Sequence, residues 1–280
     1  GVTLRDMGEH GLKDLTRPEH VYQVDVAGLP NVFPPLASLD AIPNNLPIQL
    51  SELIGRQTEL EEAERIFSGT RLMTILAPGG TGKTRVAIQA AADITADFPD
   101  GVFFIGLADI GSSAEIVQAV AASLALDPSS DEDMKTQLLT YLSSKCQLLV
   151  FDNFEHLIDG ASIVTAILQA APKVKVLVTS RTKLNVTGET TFTLAGLETT
   201  WGSPDDALQA SGVLLFIDGA TRVRPGFALE PSDLDAVGEI LRLIGGLPLG
   251  ILLAAAWVDM LETAYRREKK SSSAHGTQNA

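Results

Sequence analysis

Ala77-Pro78-Gly79-Gly80-Thr81-Gly82-Lys83-Thr84 is the stretch on which the fold turns. The five residues before it, 72–76 (LMTIL), form a short apolar run that reads as a strand. The residues after it, 84–96, put Val86, Ala87, Ala90, Ala91 and Ile94 on one stripe at helical spacing. A glycine-rich turn that leaves a strand, opens a helix and ends in Gly-Lys-Thr has the context a phosphate-binding loop needs. Gly79, Gly80 and Gly82 let the backbone fold tightly and turn successive N–H groups inward. Those donors, together with the helix N-terminus, make a nest for anionic phosphates. Lys83 can reach β and γ oxygens, and the Thr84 hydroxyl can ligate Mg²⁺. Ala77 stands at the first position of the pattern, where Gly is usual. By average composition the pattern arises by chance in about 2% of chains of this length. The flanking strand and helix lower that further, which disfavours a mere flexible surface turn.

About 70 residues downstream, residues 148–152 (LLVFD) are four apolar positions ending in an acid. An Asp at a strand tip can order the hydration shell of a nucleotide-bound Mg²⁺. Alone the pattern is common; it gains weight because open α/β sheets bind ligands at the C-terminal ends of their strands. Asn153 follows, where many such ATPases place a second acid, and Asn cannot act as a general base. Glu155 is the nearest alternative for polarising water; for Glu155 and His156 an ordinary polar loop is the competing reading. The next strand, residues 174–179, runs into Ser180 and Arg181. An Arg at that tip could sense a γ-phosphate, or be a surface Arg.

Further along, strands and helices alternate, which predicts a parallel sheet with helices on both faces. Helices are expected at 58–67, with Thr58 and Glu61 as a capping box, and at 114–124, 131–143 and 161–171. Strands are expected at 102–107 and 191–194. After about residue 204 the strand signal stops, and 205–221, 232–244 and 247–261 read as helices of a small helical subdomain. Before residue 51, Pro30, Pro34, Pro35, Pro43 and Pro47 crowd one stretch, so 29–50 reads as an extended linker.

Composition bounds the function. The chain has 280 residues, 45% hydrophobic and 20% charged, which excludes a mostly disordered protein. Net charge is −14, and residues 51–264 carry 28 acidic against 14 basic side chains. Nucleic-acid binding draws its affinity from Lys and Arg on phosphates, so this acidity argues against nucleic acid as the ligand. Residues 265–280 are basic and rich in Ser and read as a disordered tail. The longest uncharged run, 16 residues at 243–258, is short for a membrane span of about 20. The single cysteine, Cys146, excludes a disulfide framework and suits a reducing cytoplasm. A chain that starts at Gly1 without a signal peptide suggests a fragment of a longer protein.

These residues together resemble the nucleotide-binding module of the STAND/NB-ARC signalling ATPases, and more closely the bacterial subgroup that follows adenylate/guanylate cyclase domains. The segments that carry the resemblance are LIGRQTELEE (53–62), LAPGGTGKTRVA (76–87), LLVFDNFEHL (148–157), LVTSR (177–181) and GGLPLGILLAAA (245–256). The resemblance implies a P-loop NTPase core over 51–203 and a helical subdomain over 204–264. It implies ATP/ADP with Mg²⁺ held by residues 77–85, including Arg85, with Thr84 and Asp152 on the metal. Ile54, Gly55 and Arg56 match the motif near the adenine. Arg181 matches the sensor arginine, and Pro248 the proline that packs on the base. Lys83, Asp152, Glu155 and Arg181 are the candidate catalytic residues. Residues 4–24 and 33–47 are similar to the last hairpin of a class III nucleotide cyclase domain and the linker after it, so 1–28 reads as a cyclase remnant. The metal-binding carboxylates of such a cyclase would lie upstream, and no cyclase activity is expected from this chain. A winged-helix domain and a repeat domain normally follow in the family, with homo-oligomer formation on activation. The readings in play are a slow signalling ATPase, a nucleotide switch with negligible hydrolysis, and a nucleic-acid-linked AAA-type ATPase.

Overall fold

The computed structural model describes residues 2–10, 19–26, 42–127 and 133–258. The chain separates into two units. One is made of Gly1–Gln49, Glu62–Leu76 and Ala87–Phe192, the other of Leu50–Glu61, Ala77–Val86 and Thr193–Ala280.

The first unit opens with strands β1 (Val2–His10) and β2 (Glu19–Val26). They pair antiparallel from Val2↔Val26 to His10↔Glu19, with a slip of register between Asp6 and Gly8. The linker expected over 29–50 lies outside the described residues up to position 41. Its last part does more than span a gap. The Pro43 carbonyl accepts from the Val102 amide at 3.0 Å, and the Asn45 side chain brackets Phe104, accepting from its N–H at 2.6 Å and donating to its C=O at 3.1 Å. Gly101, at φ +118°, makes this possible, because a Cβ there would lie 2.5 Å from the Pro43 oxygen.

Helices α1 (Gln57–Ser68) and α2 (Lys83–Asp93) flank strand β3 (Leu72–Leu76). Next come β4 (Val102–Gly106), α3 (Ile116–Ser123), α4 (Met134–Leu142), β5 (Leu148–Asp152), α5 (Ser162–Ala170), β6 (Lys175–Ser180) and β7 (Glu189–Thr193). The five strands from β3 on form one sheet in the order β4-β5-β6-β3-β7, and β3 to β6 run parallel. Side chains alternate across a strand. Leu72, Ile105, Leu149, Phe151, Val176 and Val178 therefore share one face, in a core with Val120, Leu142, Val164 and Ile167 of α3, α4 and α5. Met73, Ile75, Leu148, Val150 and Leu177 point the other way and are also buried, as are Ala63 and Phe67 of α1 and Ala90 and Ala91 of α2. Both faces are covered, which is why these strands read as continuous apolar runs. Each fully buried side chain of this size contributes about 1.5–3 kcal/mol. Two cations tie helix ends to the sheet. Arg71 donates to the Leu168 carbonyl in the last turn of α5 and to the Ala171 and Val174 carbonyls just after it. Lys175 donates to the Phe67 carbonyl at 2.7 Å.

The parallel α/β sheet expected from the alternation is present, with strands close to the predicted positions. Three helix starts differ. The capping box does not form: α1 begins at Gln57, and the Arg56 carbonyl accepts from Leu60 N–H. Thr58 therefore lies inside the first turn, and Glu61 pairs with Gln57 instead. Helix 114–124 begins as a 3₁₀ turn, Ser113–Glu115. In the acidic run at 131–133 only Asp133 is described; it caps α4 by accepting from Thr136 N–H.

The second unit carries helices α6 (Pro204–Ala207), α7 (Ser211–Val223), α8 (Leu234–Leu243) and α9 (Pro248–Ala256). Val213, Phe216, Val237, Leu241 and Ile251 form a core shared by α7, α8 and α9, with Ile54 packed against it. A single helix was expected over 205–221; the chain breaks it at Ala210, whose backbone is extended. The break has a tertiary cause. The Glu198 main chain donates to Ser211 Oγ and accepts from Gly212 N–H, and a Cβ on Gly212 would lie 2.5 Å from that Glu198 oxygen. The end of the helix expected at 247–261 and the whole basic tail at 265–280 lie outside the described residues.

Candidate functional site: a phosphate loop and an acidic strand tip

The phosphate loop begins where β3 ends. Gly80 and Gly82 sit at φ +79° and +89°, conformations that cost an L side chain roughly 1–2 kcal/mol. Gly82 carbonyl accepts from Val86 N–H at 3.0 Å and so starts the helix. Lys83 is 7% exposed, and its ammonium donates to the carbonyls of Ala77 at 2.9 Å and Pro78 at 3.1 Å. Thr81 hydroxyl donates to the same Pro78 carbonyl at 2.8 Å. The loop is thus closed on itself by its own lysine and threonine, with Gly82 between them and Thr84 in the first turn of α2.

In the second unit the predicted Arg56 and the residue after Pro248 meet this loop, while Gly55 packs on Ser211. Gly55, at φ +67°, lies so close to Ser211 that a Cβ would overlap the Ser211 Cβ at 2.1 Å. Arg56 is 2% exposed; its guanidinium is paired with Glu59 and donates to Thr81 and Ala195 carbonyls. Pro248 occupies the first turn of α9, where its missing N–H costs nothing. The following amide, Leu249 N–H, donates to the Gly80 carbonyl at 3.1 Å. Gly246 is wedged against Leu197, whose N–H donates to Gly246 carbonyl at 2.8 Å, and a Cβ on Gly246 would lie 2.2 Å from the Leu197 oxygen. Arg85 is turned to the lead-in segment, donating to the Ser51 and Glu52 carbonyls. Burial lowers its pKa from the usual value, and Arg222 lowers it further, while Asp218 acts in the opposite sense.

The acidic residues belong to the first unit. Asp152, at the tip of β5, is 6% exposed, and its Oδ1 accepts from the Thr179 hydroxyl at 2.6 Å. Thr179 Oγ1 in turn accepts from Asn153 N–H at 3.0 Å. Asn153 takes the left-handed conformation, φ +63°, which Asn tolerates better than most residues. Beyond that kink Glu155 pairs with Arg181, Oε1 to Nε 3.0 Å, while Glu155 Oε2 is buried with no hydrogen-bond partner. His156 Nε2 is 3.0 Å from the Ile110 carbonyl, a role that holds the turn. Thr179 was not singled out by sequence reasoning. The available signal was the first hydroxyl after the apolar run Val176-Leu177-Val178.

The NB-ARC domain family model matches residues 56–210, more than half of the chain, and the chain belongs to that family. A Mycobacterium tuberculosis protein described as an HTH-type transcriptional regulator is 36% identical over 194 residues, 69% of this chain and 21% of that protein. An uncharacterized protein of the same organism is 33% identical over 213 residues, 76% of this chain and 52% of its own length. The regulatory protein AfsR of Streptomyces griseus is 26% identical over 235 residues, 76% of this chain and 22% of AfsR. The chain therefore spans about a fifth to a half of the length of the curated relatives it matches. Among solved structures, a STAND protein with a tetratricopeptide repeat sensor from Pyrococcus horikoshii matches at TM-score 0.42 and 17% identity, covering 74% of this chain and 30% of that one. The ORC2 protein of Aeropyrum pernix matches at TM-score 0.49 and 13% identity, covering 78% and 65%. Among the described residues no helix is long and apolar enough to cross a membrane.

Proposed function

We propose that this NB-ARC module is a nucleotide switch that binds ATP and ADP with Mg²⁺ and hydrolyses ATP slowly. The observation that carries the reading is the loop of residues 77–84, with left-handed Gly80 and Gly82 opening α2 behind a buried strand. Successive amides of such a loop suit phosphate oxygens, and Lys83 supplies the matching charge. The Thr84 hydroxyl and the Asp152 carboxylate are hard oxygen donors of the kind Mg²⁺ takes, and they are the residues that would hold it. The metal would neutralise charge on the transferring phosphoryl group. Within the protein, Thr179 holds the Asp152 carboxylate in one orientation. The main chain of Ile54–Arg56 and the ring of Pro248 would frame the adenine, and Arg181 would answer to the γ-phosphate.

Slow turnover is the favoured form because Asn153 cannot take a proton from water and Glu155 is already paired with Arg181. A switch with negligible hydrolysis is the second reading, favoured by the same pair. The domain limits proposed are a core over 51–203 and a helical subdomain over 204–264. The parent is proposed as a cytoplasmic bacterial regulator. It would carry a cyclase-type domain upstream, winged-helix and repeat domains downstream, and assemble into a homo-oligomer when activated. The regulator relatives are consistent with such an output. Multiple-turnover phosphate release with and without DNA tests the reading. Release below about 1 s⁻¹, unaffected by DNA, is expected. Fast or DNA-stimulated release would favour a nucleic-acid ATPase and overturn it.

A further inference from the structure

Arg56 is the largest charged side chain to be fully buried among the described residues, at 2% exposure. A buried guanidinium is tolerated only where its charge is paired and its N–H groups find acceptors. Glu59 supplies the charge, one turn along α1. The acceptors are two main-chain carbonyls remote in sequence. Thr81, in the phosphate loop, accepts from Nη2 at 3.3 Å, and Ala195, in the segment after β7, accepts from the same nitrogen at 2.8 Å.

The Thr81 bond has a consequence for the loop. In a trans peptide the C=O of one residue and the N–H of the next point in opposite directions. A Thr81 carbonyl held on Arg56 therefore aims the Gly82 N–H away from Arg56. The neighbouring peptide is held in the same manner. The Gly80 carbonyl accepts from Leu249 N–H at the start of α9, which aims the Thr81 N–H away from that helix. Two consecutive peptides of the loop are thus oriented by their carbonyls. The anchors are a buried side chain on the lead-in to α1 and a helix-terminal amide that has no partner within its own helix.

We infer that Arg56 is a positioning residue for phosphate: its side chain sets the orientation of the Gly82 amide in the anion nest and does not serve the base. The inference rests on the nucleotide reading above and deepens it. It also places the Ala195 carbonyl and the Thr81 carbonyl on one nitrogen, so the segment leading into the helices and the phosphate loop share a single anchor.

The test compares Mg²⁺–ATP with Mg²⁺–pyrophosphate, which has phosphates and no base, by calorimetry on the full chain. Arg56→Met is expected to weaken both probes by the same factor, about tenfold, as for the loss of a charge-assisted bond. Arg56→Lys keeps the charge and the pair with Glu59, but its compact ammonium cannot fork to both carbonyls, so it restores only part of the affinity. Glu59→Gln keeps Arg56 itself, loosens the guanidinium, and should produce a smaller parallel loss; it serves where Arg56→Met fails to fold. Weakened ATP with unchanged pyrophosphate would assign the side chain to the base and overturn the inference. So would unchanged affinity for both probes in Arg56→Lys and Glu59→Gln. A wild-type chain that binds neither probe would defeat the nucleotide reading itself, and this inference with it.

Discussion

The phosphate loop and the tip of β5 carry the candidate chemistry in opposite ways. The loop is held by its main chain: the carbonyls of Ala77, Pro78, Gly80 and Thr81 all accept hydrogen bonds. The strand tip is held by side chains, Thr179 on Asp152 and Arg181 on Glu155. A site held through backbone depends on residues that permit unusual φ, and many donors share the work. A site held through side chains depends on one functional group at a time, and each can be deleted singly. The two regions should therefore fail differently under mutation.

Asp152→Ala should show the largest effect. On the proposed reading the Asp152 carboxylate would hold the metal at the transferring phosphoryl group, so without it single-turnover phosphate release should fall ~10²–10³-fold. Nucleotide affinity should change far less, which is how the strand tip and the loop are told apart. A mutant with wild-type release would show that the tip is not catalytic.

Gly246→Ala probes the backbone side. Its φ is +66°, and the new methyl would lie 2.2 Å from the Leu197 oxygen. A loss of about 2–3 kcal/mol in chemical denaturation is expected, the sum of a strained backbone and a main-chain clash. Gly82→Ala offers the contrast: at φ +89° it meets nothing within 4 Å, so only the conformational part, about 1–2 kcal/mol, should be lost. Equal losses at the two positions would mean that the contact with Leu197 contributes little.

Lys83→Ala should weaken ATP and ADP by at least about tenfold, or 1.4 kcal/mol, read by calorimetry. The same change removes the ammonium that bridges the Ala77 and Pro78 carbonyls, so the loop should exchange its amide protons faster even without nucleotide. Undiminished affinity would defeat the loop's assignment.

Glu155→Gln is expected to do least. Its partner Arg181 is 64% exposed, and a pair open to water is worth about 1 kcal/mol or less. Stability should scarcely move, and measurable phosphate release should remain. If Glu155→Gln proved less active than Asp152→Ala, the roles of the two acids would have to be exchanged.

How much was legible beforehand follows the same division. The loop could be read because its requirements are local: a strand, glycines at the left-handed positions, Lys-Thr opening a helix. The sheet could be read because strands buried on both faces lack polar residues, and Leu148-Leu149-Val150-Phe151 could be little else. What could not be read depends on partners far along the chain. Nothing near Arg56 shows that its guanidinium meets a carbonyl 139 residues away. Nothing in 205–221 shows that Glu198 interrupts the helix at its Ser211 and Gly212. The Thr58–Glu61 box is a sound local pattern that lost to a helix begun one residue earlier. Thr179 looked like a strand residue and is also the group that orients Asp152.

Asn45 and Pro43 have a practical consequence. Strand β4 is the outermost strand on its side of the sheet, and these two residues occupy part of its outer rim. A shortened chain beginning at Leu50 would keep the family match, which starts at residue 56, and would lose that cover. The exposed N–H and C=O groups of Val102 and Phe104 would then be open to a strand from a second molecule. Such a chain should self-associate with rising concentration, while one beginning at Ile42 should not, and light scattering on the two would show it. That outcome would make residues that look like spacer in the sequence a guard against unwanted strand pairing.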